Sequence, residues 1–385
     1  MLNARMVERM KASGAIRSPR IEDAFRETPR HLFLPGVAHD LVYSGQAVVT
    51  RSDPERGITS SSSEVNIMAP MLEALSIEPG QRILEIGVGT GFNAALLDRL
   101  VGPEGQIVSV DIQPDVVEDA RAHLGAAGHS RVTAVAGDGH AGHPALAPYD
   151  RIIATASVRD IPLAWRDQLR EGGLLVVPMR FRLAAQIVVT FMRAGDRFES
   201  AGVVSGGFMP LRTEQEALPK PVTFADEWEA TLDSPREGDG DLVAELLRGE
   251  PSIEAFRAIP WQMTFSLIGL VDPDWIVIGR KQQATRWWGL LDRSSRSMVL
   301  IWPMSLPMAA ARSSLLVYGS PAARDRLAAL VDALTDVRVE RLRVRAVPAD
   351  SQRPAADAIF DGRNFTYAID WRAAKNAGER GASAT

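Results

Sequence analysis

A glycine-rich turn after a buried strand is the segment of this sequence best suited to hold a small ligand. In ILEIGVGTGFNAALLDRL the apolar strand leads into Gly87, Gly89 and Gly91, and a helix follows. Glycine permits a tight turn and lets a ligand approach the backbone more closely than a Cβ atom would allow. The spacing Glu-x-Gly-x-Gly-x-Gly differs from the Gly-x-Gly-x-x-Gly pattern that binds a dinucleotide pyrophosphate. The turn therefore favours a ligand without a diphosphate.

Two carboxylates end the next two apolar segments along the chain. Asp111 lies 20 residues after Gly91, at a position where a carboxylate can accept hydrogen bonds from both hydroxyls of a ribose. Asp138, in AVAGDGH, is a candidate partner for an adenine amino group. The turn and the two acids together predict S-adenosylmethionine, rather than NAD, as the cofactor. The residues predicted to bind it are Glu85, Gly87, Gly89, Gly91, Asp111, Ile112, Asp138 and Gly139.

The elements that position these residues follow an alternating pattern. Continuous apolar runs mark strands that are covered on both faces, and their alternation with helical segments predicts a mainly parallel sheet between helical layers. We therefore predict an α/β fold with a seven-stranded Rossmann-like sheet and helices on both faces, preceded by a helix that Ser18 caps. The seven predicted strands lie in QRILEI, GQIVSVDI, RVTAVA, YDRIIATA, GGLLVVP, AAQIVVTFM and AGVVSGGF.

The 385 residues exceed what one hydrophobic core usually serves, which predicts a second domain. DSPREGDGD has the proline, glycine and acid content of a linker. After it, five further strand-like runs and one helix beyond Pro321 indicate a smaller C-terminal α+β domain. The predicted division is a catalytic domain over 1–212, a linker over 213–242, an accessory domain over 243–375 and a disordered tail over 376–385.

The composition excludes several classes of function. The chain has no cysteine, which rules out disulfides, thiolate metal sites and thiol nucleophiles. Its formal charge of -5 gives no overall attraction to nucleic acids or membranes. The six histidines all precede residue 144 and lack metal-ligand spacing, so we expect no metal site. With neither a signal-peptide core nor a membrane-spanning run, the expected location is the cytoplasm.

Several segments together resemble the protein-L-isoaspartate O-methyltransferase family. They are AFRETPRHLFLPG, LEIGVGTGFNAALL, VAGDGHAG, APYDRIIATASVRDIPLAWRDQLREGGLLVVP and FMPLR, in the order and spacing of the family. They cover roughly residues 1 to 212, a little over half of the chain. The resemblance implies a seven-stranded methyltransferase sheet, S-adenosylmethionine as methyl donor with S-adenosylhomocysteine as product, and an aspartate-type carboxylate in a polypeptide as acceptor.

Four consecutive serines, in GITSSSSEVNIMAPML, stand where the family carries Thr-Ile-Ser followed by Pro. Ser61 and Ser63 match the two hydroxyl residues, Ser62 matches the Ile, and Val65 replaces the Pro. Capping of the following helix is one interpretation of this run. The other is that Ser63, Ser61 and Ser60, in that order, contact the acceptor carboxylate. The loss of an apolar residue and of the rigid proline puts the usual isoaspartate selectivity in doubt.

The chemistry implied by the resemblance needs little from the chain beyond positioning. A carboxylate with a pKa near ~4 is ionised at neutral pH and needs no general base to attack a sulfonium methyl group. Hydroxyls can bond one carboxylate oxygen and leave the other free to attack. The resulting methyl ester can lose methanol to a neighbouring backbone amide and form a succinimide, also called an aspartimide.

Four functions stay open at this point. The extra domain and the serine run favour modification of one chosen Asp in a cyclised ribosomal precursor peptide, as in lanthipeptide and graspetide maturation. General repair of isoaspartyl residues in damaged proteins is the alternative. An RNA methyltransferase is a minor one, because Arg338, Arg341, Arg343 and Arg345 could give a strand one basic face. A binding module without enzymatic activity is the last.

Overall fold

The computed structural model describes residues 1–53, 57–182, 185–212, 222–224, 228–233, 235–260, 263–281, 286–301 and 312–371. These residues form two compact units. Unit 1 contains the described residues within Met1–Met179, Val188–Leu218 and Arg343–Ile369, and unit 2 contains the others. The predicted tail, 376–385, lies outside the described residues. Within the described ranges, no helix combines the length and the apolarity needed to cross a bilayer.

Unit 1 begins with helices that surround the first part of its sheet. Ser18 caps α2, as predicted, because its Oγ accepts a hydrogen bond from the amide of Ile21 and Pro19 occupies the first helical position. Short 3-10 turns follow at Arg30–Phe33, Gly139–Ala141 and Pro144–Leu146. The helices are α1 (Leu2–Ala12), α2 (Pro19–Glu27), α3 (His39–Val42), α4 (Val65–Leu75), α5 (Phe92–Val101), α6 (Pro114–Ala126) and α7 (Leu163–Gln168).

The first nine strands of the chain belong wholly or mainly to unit 1. They are β1 (Val48–Asp53), β2 (Gly57–Ser62), β3 (Arg82–Ile86), β4 (Gln106–Asp111), β5 (Thr133–Ala136), β6 (Tyr149–Ala154), β7 (Leu169–Arg182), β8 (Ala185–Ala194) and β9 (Arg197–Ser205). β1 and β2 form a separate antiparallel hairpin. The strands β3 to β9 are the seven predicted strands. The parallel pairs are β3 with β4, β3 with β6, β4 with β5 and β6 with β7.

Both faces of this sheet are covered, as continuous apolar strands require. On one face, Ile83, Ile107 and Ile153 join a cluster with buried residues of α1, α2, α4 and α5. Leu84 and Val108 point to the other face and are equally buried. The predicted α/β methyltransferase fold with helices on both faces is therefore confirmed.

Unit 2 is built on a seven-stranded antiparallel sheet with helices beside it. Its strands are β10 (Val222–Phe224), β11 (Trp228–Leu232), β12 (Ser252–Arg257), β13 (Trp275–Arg280), β14 (Arg286–Asp292), β15 (Ser297–Ile301) and β16 (Arg312–Tyr318), in the order β10-β11-β13-β14-β15-β16-β12. The helices are α8 (Asp239–Arg248), α9 (Gly269–Val271) and α10 (Ala322–Leu334), with a π-helical turn at Met263–Ile268. This is the extra α+β domain expected after the linker.

The last three strands return to unit 1 and extend its sheet. They are β17 (Arg343–Pro348), β18 (Ala358–Asp361) and β19 (Phe365–Asp370). The complete sheet has ten strands in the order β18-β19-β17-β9-β8-β7-β6-β3-β4-β5. The division by residue number therefore differs from the division in space, because 343–369 belong to unit 1. The linker proposed over 213–242 also ends early, since α8 begins at Asp239.

The arginine run does not form the basic strand face considered above. Val339–Arg341 is a 3-10 turn, so Arg341 precedes β17 and only Arg343 and Arg345 lie on that strand. Arg345 donates a hydrogen bond to the carbonyl oxygen of Ala355 at 2.8 Å. The alternating pattern in RVERLRVRAV thus spans two elements, which removes the geometric argument for a phosphate-binding strand.

Candidate active site

A cavity of about 370 Å³ lies at the carboxyl ends of β3 and β4, within the size range of small-molecule sites. Its walls come from the β1–β2 hairpin, the start of α4, the glycine turn, the end of β4 and residues 207–212. Of the predicted site residues, those that line it are Ser60, Ser61, Ser63, Gly87, Gly89, Asp111, Ile112 and Gly139. Glu85, Gly91 and Asp138 are placed elsewhere.

The glycine turn leaves backbone exposed to the cavity where side chains would block it. Gly87 has a φ of +99°, and a Cβ atom there would lie 2.4 Å from Oγ1 of Thr155. The Thr155 hydroxyl donates to the carbonyl oxygens of Ile86 and Gly87, at 3.0 and 2.9 Å. Gly91 serves packing instead, since a Cβ atom there would lie 3.1 Å from the side chain of Leu124. Thr155 lines the cavity and was not among the predicted residues.

Glu85 lies beneath the glycine turn rather than in the cavity. Its side chain is fully buried, and it accepts hydrogen bonds from Nδ2 of Asn93, at 2.7 Å, and from the hydroxyl of Ser109. Burial raises the pKa of Glu85 to about 7. The carboxyl group thereby ties β3 to β4 and α5, and it supports the turn from below.

Asp111 has the geometry expected of a ligand-binding acid. One carboxylate oxygen accepts a hydrogen bond from the amide of Gly89 and the other accepts one from the amide of Gln113, both at 3.2 Å. Burial raises the pKa of this carboxyl group. Each carboxylate oxygen has further acceptor capacity, so Asp111 can bind two hydroxyl groups at the cavity edge without losing its own support.

Asp138 and Gly139 follow β5, and of the two only Gly139 lines the cavity. A Cβ atom at Gly139 would lie 2.8 Å from Cγ2 of Ile86 and 3.1 Å from Cδ1 of Leu211, so the cavity wall is closed there. The exposed Asp138 carboxylate accepts a hydrogen bond from the amide of His140 at 2.9 Å. Asp138 therefore caps a 3-10 turn and is not part of the cavity lining.

The first three serines of the run lie on β2 and Ser63 follows it directly, and the alternation of burial along 60–63 divides the hydroxyls into two sets. Ser60 and Ser62 are buried, and their Oγ atoms accept hydrogen bonds from Thr50 at 3.0 Å and from Arg30 at 3.2 Å. Ser61 and Ser63 are less buried and line the cavity. Among the described residues, no group bonds either of these two hydroxyls. They are the ones available to a ligand.

The serine strand lies directly against the glycine turn. The carbonyl oxygen of Ser61 is 3.5 Å from the position of a Cβ atom at Gly89. The following helix begins at Val65, and its N-cap residue, Glu64, makes no side-chain capping bond. The capping interpretation of the serines is therefore wrong, because Glu64 occupies the N-cap position and, among the described residues, no serine hydroxyl accepts a hydrogen bond from the first amides of α4.

Arg30 fixes the end of the serine strand from behind. Its guanidinium is fully buried and donates to the carbonyl oxygens of Val42, Gln46, Ser62 and Ser63 at 2.9 to 3.3 Å. Burial lowers the pKa of Arg30 to about 10, so the side chain stays protonated at neutral pH. Sequence reasoning passed over this residue, although PRHLFLP was among the segments that carry the resemblance.

Residues 208–212, called the wall segment below, form part of the cavity lining. Ser157 fixes it with three hydrogen bonds. Its amide donates to the carbonyl oxygen of Met209 at 2.7 Å, its hydroxyl donates to that of Phe208 at 3.2 Å, and its carbonyl oxygen accepts from the amide of Leu211 at 2.8 Å. The Arg212 side chain donates to the carbonyl oxygen of Ile58 on β2. The wall thus connects the end of β6 to the serine hairpin.

Comparisons with known proteins agree on one family. The sequence profile of the protein-L-isoaspartate(D-aspartate) O-methyltransferase family matches residues 1–216. The chain is 31% identical over 210 residues to a protein-L-isoaspartate O-methyltransferase of Ignicoccus hospitalis, covering 54% of this chain and 97% of that protein. The corresponding protein of Methanopyrus kandleri is 39% identical over 176 residues, covering 46% and 75%.

One solved structure extends the likeness in fold to nearly the whole chain. It is that of a protein-L-isoaspartate O-methyltransferase, with a TM-score of 0.53 and 22% identity. The match covers 96% of this chain and 99% of that chain. A fold that includes an additional unit of this kind therefore occurs in a second protein.

Replacing Glu85 by Gln should stabilise the protein at neutral pH and much less in mild acid. The folded-state pKa of about 7 lies above the ordinary 4.5. Below pH 4.5 the carboxyl group is neutral in both states. As the pH rises toward 7, it ionises in the unfolded chain before it ionises in the folded one, so the folded state loses stability. Gln cannot ionise and retains an acceptor for Asn93. The difference in Tm between variant and wild type should grow from about pH 5 to about pH 8. Glu118→Gln, at an exposed site on α6, is the control; a Glu85→Gln difference that stays constant across this range would contradict the argument.

Asp111→Asn should weaken the binding of S-adenosylhomocysteine at least tenfold, about 1.4 kcal/mol, because the amide retains only one oxygen acceptor. Thermal shift and calorimetry measure the change, with NAD expected to give no stabilisation of the wild type. Asp138→Asn is the matched comparison and should change the affinity little, since Asp138 lies outside the cavity lining. Equal losses in the two variants would show that the cavity is not where the nucleoside binds.

Proposed function

Because the chain belongs to the protein-L-isoaspartate O-methyltransferase family, we propose that it esterifies an aspartyl-type side-chain carboxylate in a polypeptide. The chain is an S-adenosylmethionine-dependent methyltransferase of this family, whose profile covers more than half of it. One observation carries the proposal for the acceptor. Two serine hydroxyls without a partner among the described residues line the cavity, at the end of a strand that touches the glycine turn.

The cavity suits the methyl donor in three respects. The glycine turn exposes backbone at Gly87 and Gly89, the Asp111 carboxylate is held by two amides, and the wall at Gly139 has room only for a hydrogen atom. When bound, S-adenosylmethionine supplies an electrophilic sulfonium methyl group. Gly87, Gly89, Asp111, Ile112 and Gly139 are the residues we propose to hold it, with Glu85 and Gly91 supporting the turn.

The acceptor carboxylate is proposed to bind at Ser61 and Ser63. A hydroxyl can donate to one carboxylate oxygen without neutralising the group, which leaves the second oxygen able to attack. Arg30, buried behind the strand, adds a positive charge near this position that favours an anion. Ser60 takes a supporting role, since its hydroxyl is bonded to Thr50. The chain contributes alignment and exclusion of water, which can lower a barrier by several kcal/mol.

An isoaspartyl residue is the acceptor that we favour. The curated relatives reported above are protein-L-isoaspartate O-methyltransferases. The additional unit does not argue against this choice, because the solved protein-L-isoaspartate O-methyltransferase matches the fold over 96% of this chain. The size of the chain is therefore no sign of a single dedicated substrate.

A chosen aspartate in a cyclised ribosomal precursor peptide is the second candidate. Its support is the departure of Ser62 and Val65 from the family pattern beside the acceptor position. The location of the two side chains weakens this support. Val65 is completely buried on α4 and does not line the cavity, and Ser62, which borders the cavity, is buried and accepts a hydrogen bond from Arg30.

Ser63→Ala and Ser61→Ala should each lower kcat/KM for the peptide roughly tenfold to a hundredfold, because a hydrogen bond to a charged group contributes about 1.5–3 kcal/mol. Affinity for S-adenosylhomocysteine should stay within about twofold of the wild type. Ser52→Ala, at an exposed site on β1 of the same hairpin, is the control. Full activity in both cavity variants would remove the proposed role of the hydroxyls.

A direct comparison of acceptors separates the candidate functions. We expect transfer of a labelled methyl group, followed by methanol release, to an isoaspartyl peptide at least about tenfold faster than to the same peptide with a normal aspartate, since selectivity of this size needs only about 1.4 kcal/mol. A peptide cyclised through other side chains, with one free aspartate, is the third acceptor. Turnover of that peptide alone would support the second candidate, and methylation of RNA alone would contradict both.

A further inference from the structure

The C-terminal strands of unit 1 hold a loop that leads into the active-site cavity. The loop, residues 157–161, follows β6 and precedes α7. The hydroxyl of Tyr367 on β19 accepts a hydrogen bond from the amide of Ile161 at 2.7 Å and donates one to Oδ1 of Asp160 at 2.8 Å. The amide of Asn364 donates to Oδ2 of Asp160 at 2.6 Å, and its Nδ2 donates to the carbonyl oxygen of Ile161 at 3.0 Å. We call these four hydrogen bonds the grip.

The grip is buried and rigidly supported. Tyr367 is 1% exposed and Ile161 is 0% exposed. Burial and the nearby Asp160 raise the pKa of Tyr367 well above its ordinary value, so its hydroxyl remains a donor throughout the physiological range. The neighbouring Phe365 packs on Phe198 of β9 with ring centroids 5.6 Å apart. The gripping residues are therefore held in place by packing on the sheet.

The same loop holds the wall segment at its other end. Ser157, three residues before Asp160, is 1% exposed and makes the three hydrogen bonds to 208–212 described above. The amide of Val158 donates to the carbonyl oxygen of Pro178 on β7 at 2.9 Å, which anchors the middle of the loop. The grip and Ser157 thus hold the two ends of one short loop, and Ser157 in turn holds the wall.

We propose that Tyr367 and Asn364 are positioning residues for the active site, which act through residues 157–161 to set the wall segment on the acceptor side of the cavity. The assignment of that side rests on the proposed function. The wall is hydrogen-bonded to β2 through Arg212 and Ile58, whereas it reaches the proposed cofactor residues by the apolar contact of Leu211 beside Gly139, so its displacement should affect the peptide more than the cofactor. The Ignicoccus relative is matched over 97% of its length by 210 residues, so the grip belongs to the extension that this chain adds.

The test uses the full-length chain with two variants and a matched control. Tyr367→Phe removes the hydroxyl and keeps the ring, and Asn364→Ala removes the amide side chain and keeps the ring contacts around it. Thr366→Val, on the same strand, is the control, because its hydroxyl contacts Asp361 and not the loop. Each variant is measured for peptide KM and kcat, affinity for S-adenosylhomocysteine, Tm and amide hydrogen exchange.

We expect both variants to raise the KM for the peptide at least about fivefold, to change kcat and cofactor affinity less, and to speed exchange at the amides of Ser157 and Leu211; fivefold corresponds to about 1 kcal/mol. The control should leave all of these unchanged. Asp160→Ala alone should act in the same direction, and the double variant Tyr367→Phe with Asp160→Ala should be worse than either single variant but less than additive, because the two share only the bond between the Tyr367 hydroxyl and Asp160.

Two results would overturn the proposal. One is a fall in Tm with an unchanged KM, which is the signature of a merely structural hydroxyl. The other is faster exchange confined to 358–370, with the loop and the wall unaffected. Failure of the proposed function gives a different result. In that case the wild type would methylate none of the peptides, but hydrogen exchange at Ser157 and Leu211 could still be compared between the variants and the wild type.

Discussion

The burial of one guanidinium group determines how the serine side of the cavity is built. Removing a cation from water costs several kcal/mol, and only well-aligned partners offset that cost. Arg30 meets this requirement with carbonyl oxygens from two chain segments, after α3 and at the end of β2, and with the hydroxyl of Ser62. Because these partners are backbone atoms, the segments are fixed in position whatever their side chains. The serine strand therefore stands at a fixed place beside the glycine turn.

The same arrangement separates charge across the cavity. Asp111 lies at the end of β4 on the cofactor side, with the buried Glu85 below it, and Arg30 lies behind the serine strand. Glu64 is the group whose charge most favours the protonated form of Arg30, yet it makes no ion pair with it among the described residues. The cavity therefore has the buried Arg30 charge behind Ser63, with Glu64 also in its lining, and the Asp111 carboxyl group at the end of β4.

Much of this architecture follows from sequence, and the failures have physical reasons. Apolar runs identified β3 to β9, and the glycine spacing located the turn, since both signals are local. The strands β17 and β19 were also predicted, but not their sheet, because pairing with β9 joins residues more than 140 positions apart. Ser60 is predicted to contact the acceptor together with Ser61 and Ser63, but the alternation of the extended chain buries its side chain, as it does that of Ser62. Arg30 and Tyr367 were missed because tertiary contacts alone decide that such side chains are buried.

The return of the chain to unit 1 has two structural effects, and the two require different kinds of residues. An open edge at β9 would expose unpaired backbone groups, and β17 covers it with backbone hydrogen bonds that almost any strand could supply. The contact with residues 157–161 requires a phenol and an amide at defined positions, and a glycine at 362, where a Cβ atom would lie 2.6 Å from Oδ1 of Asp160. Edge protection alone would leave these three positions unconstrained. Their close fit to Asp160 is therefore the feature that connects the extension to the active site rather than to stability alone.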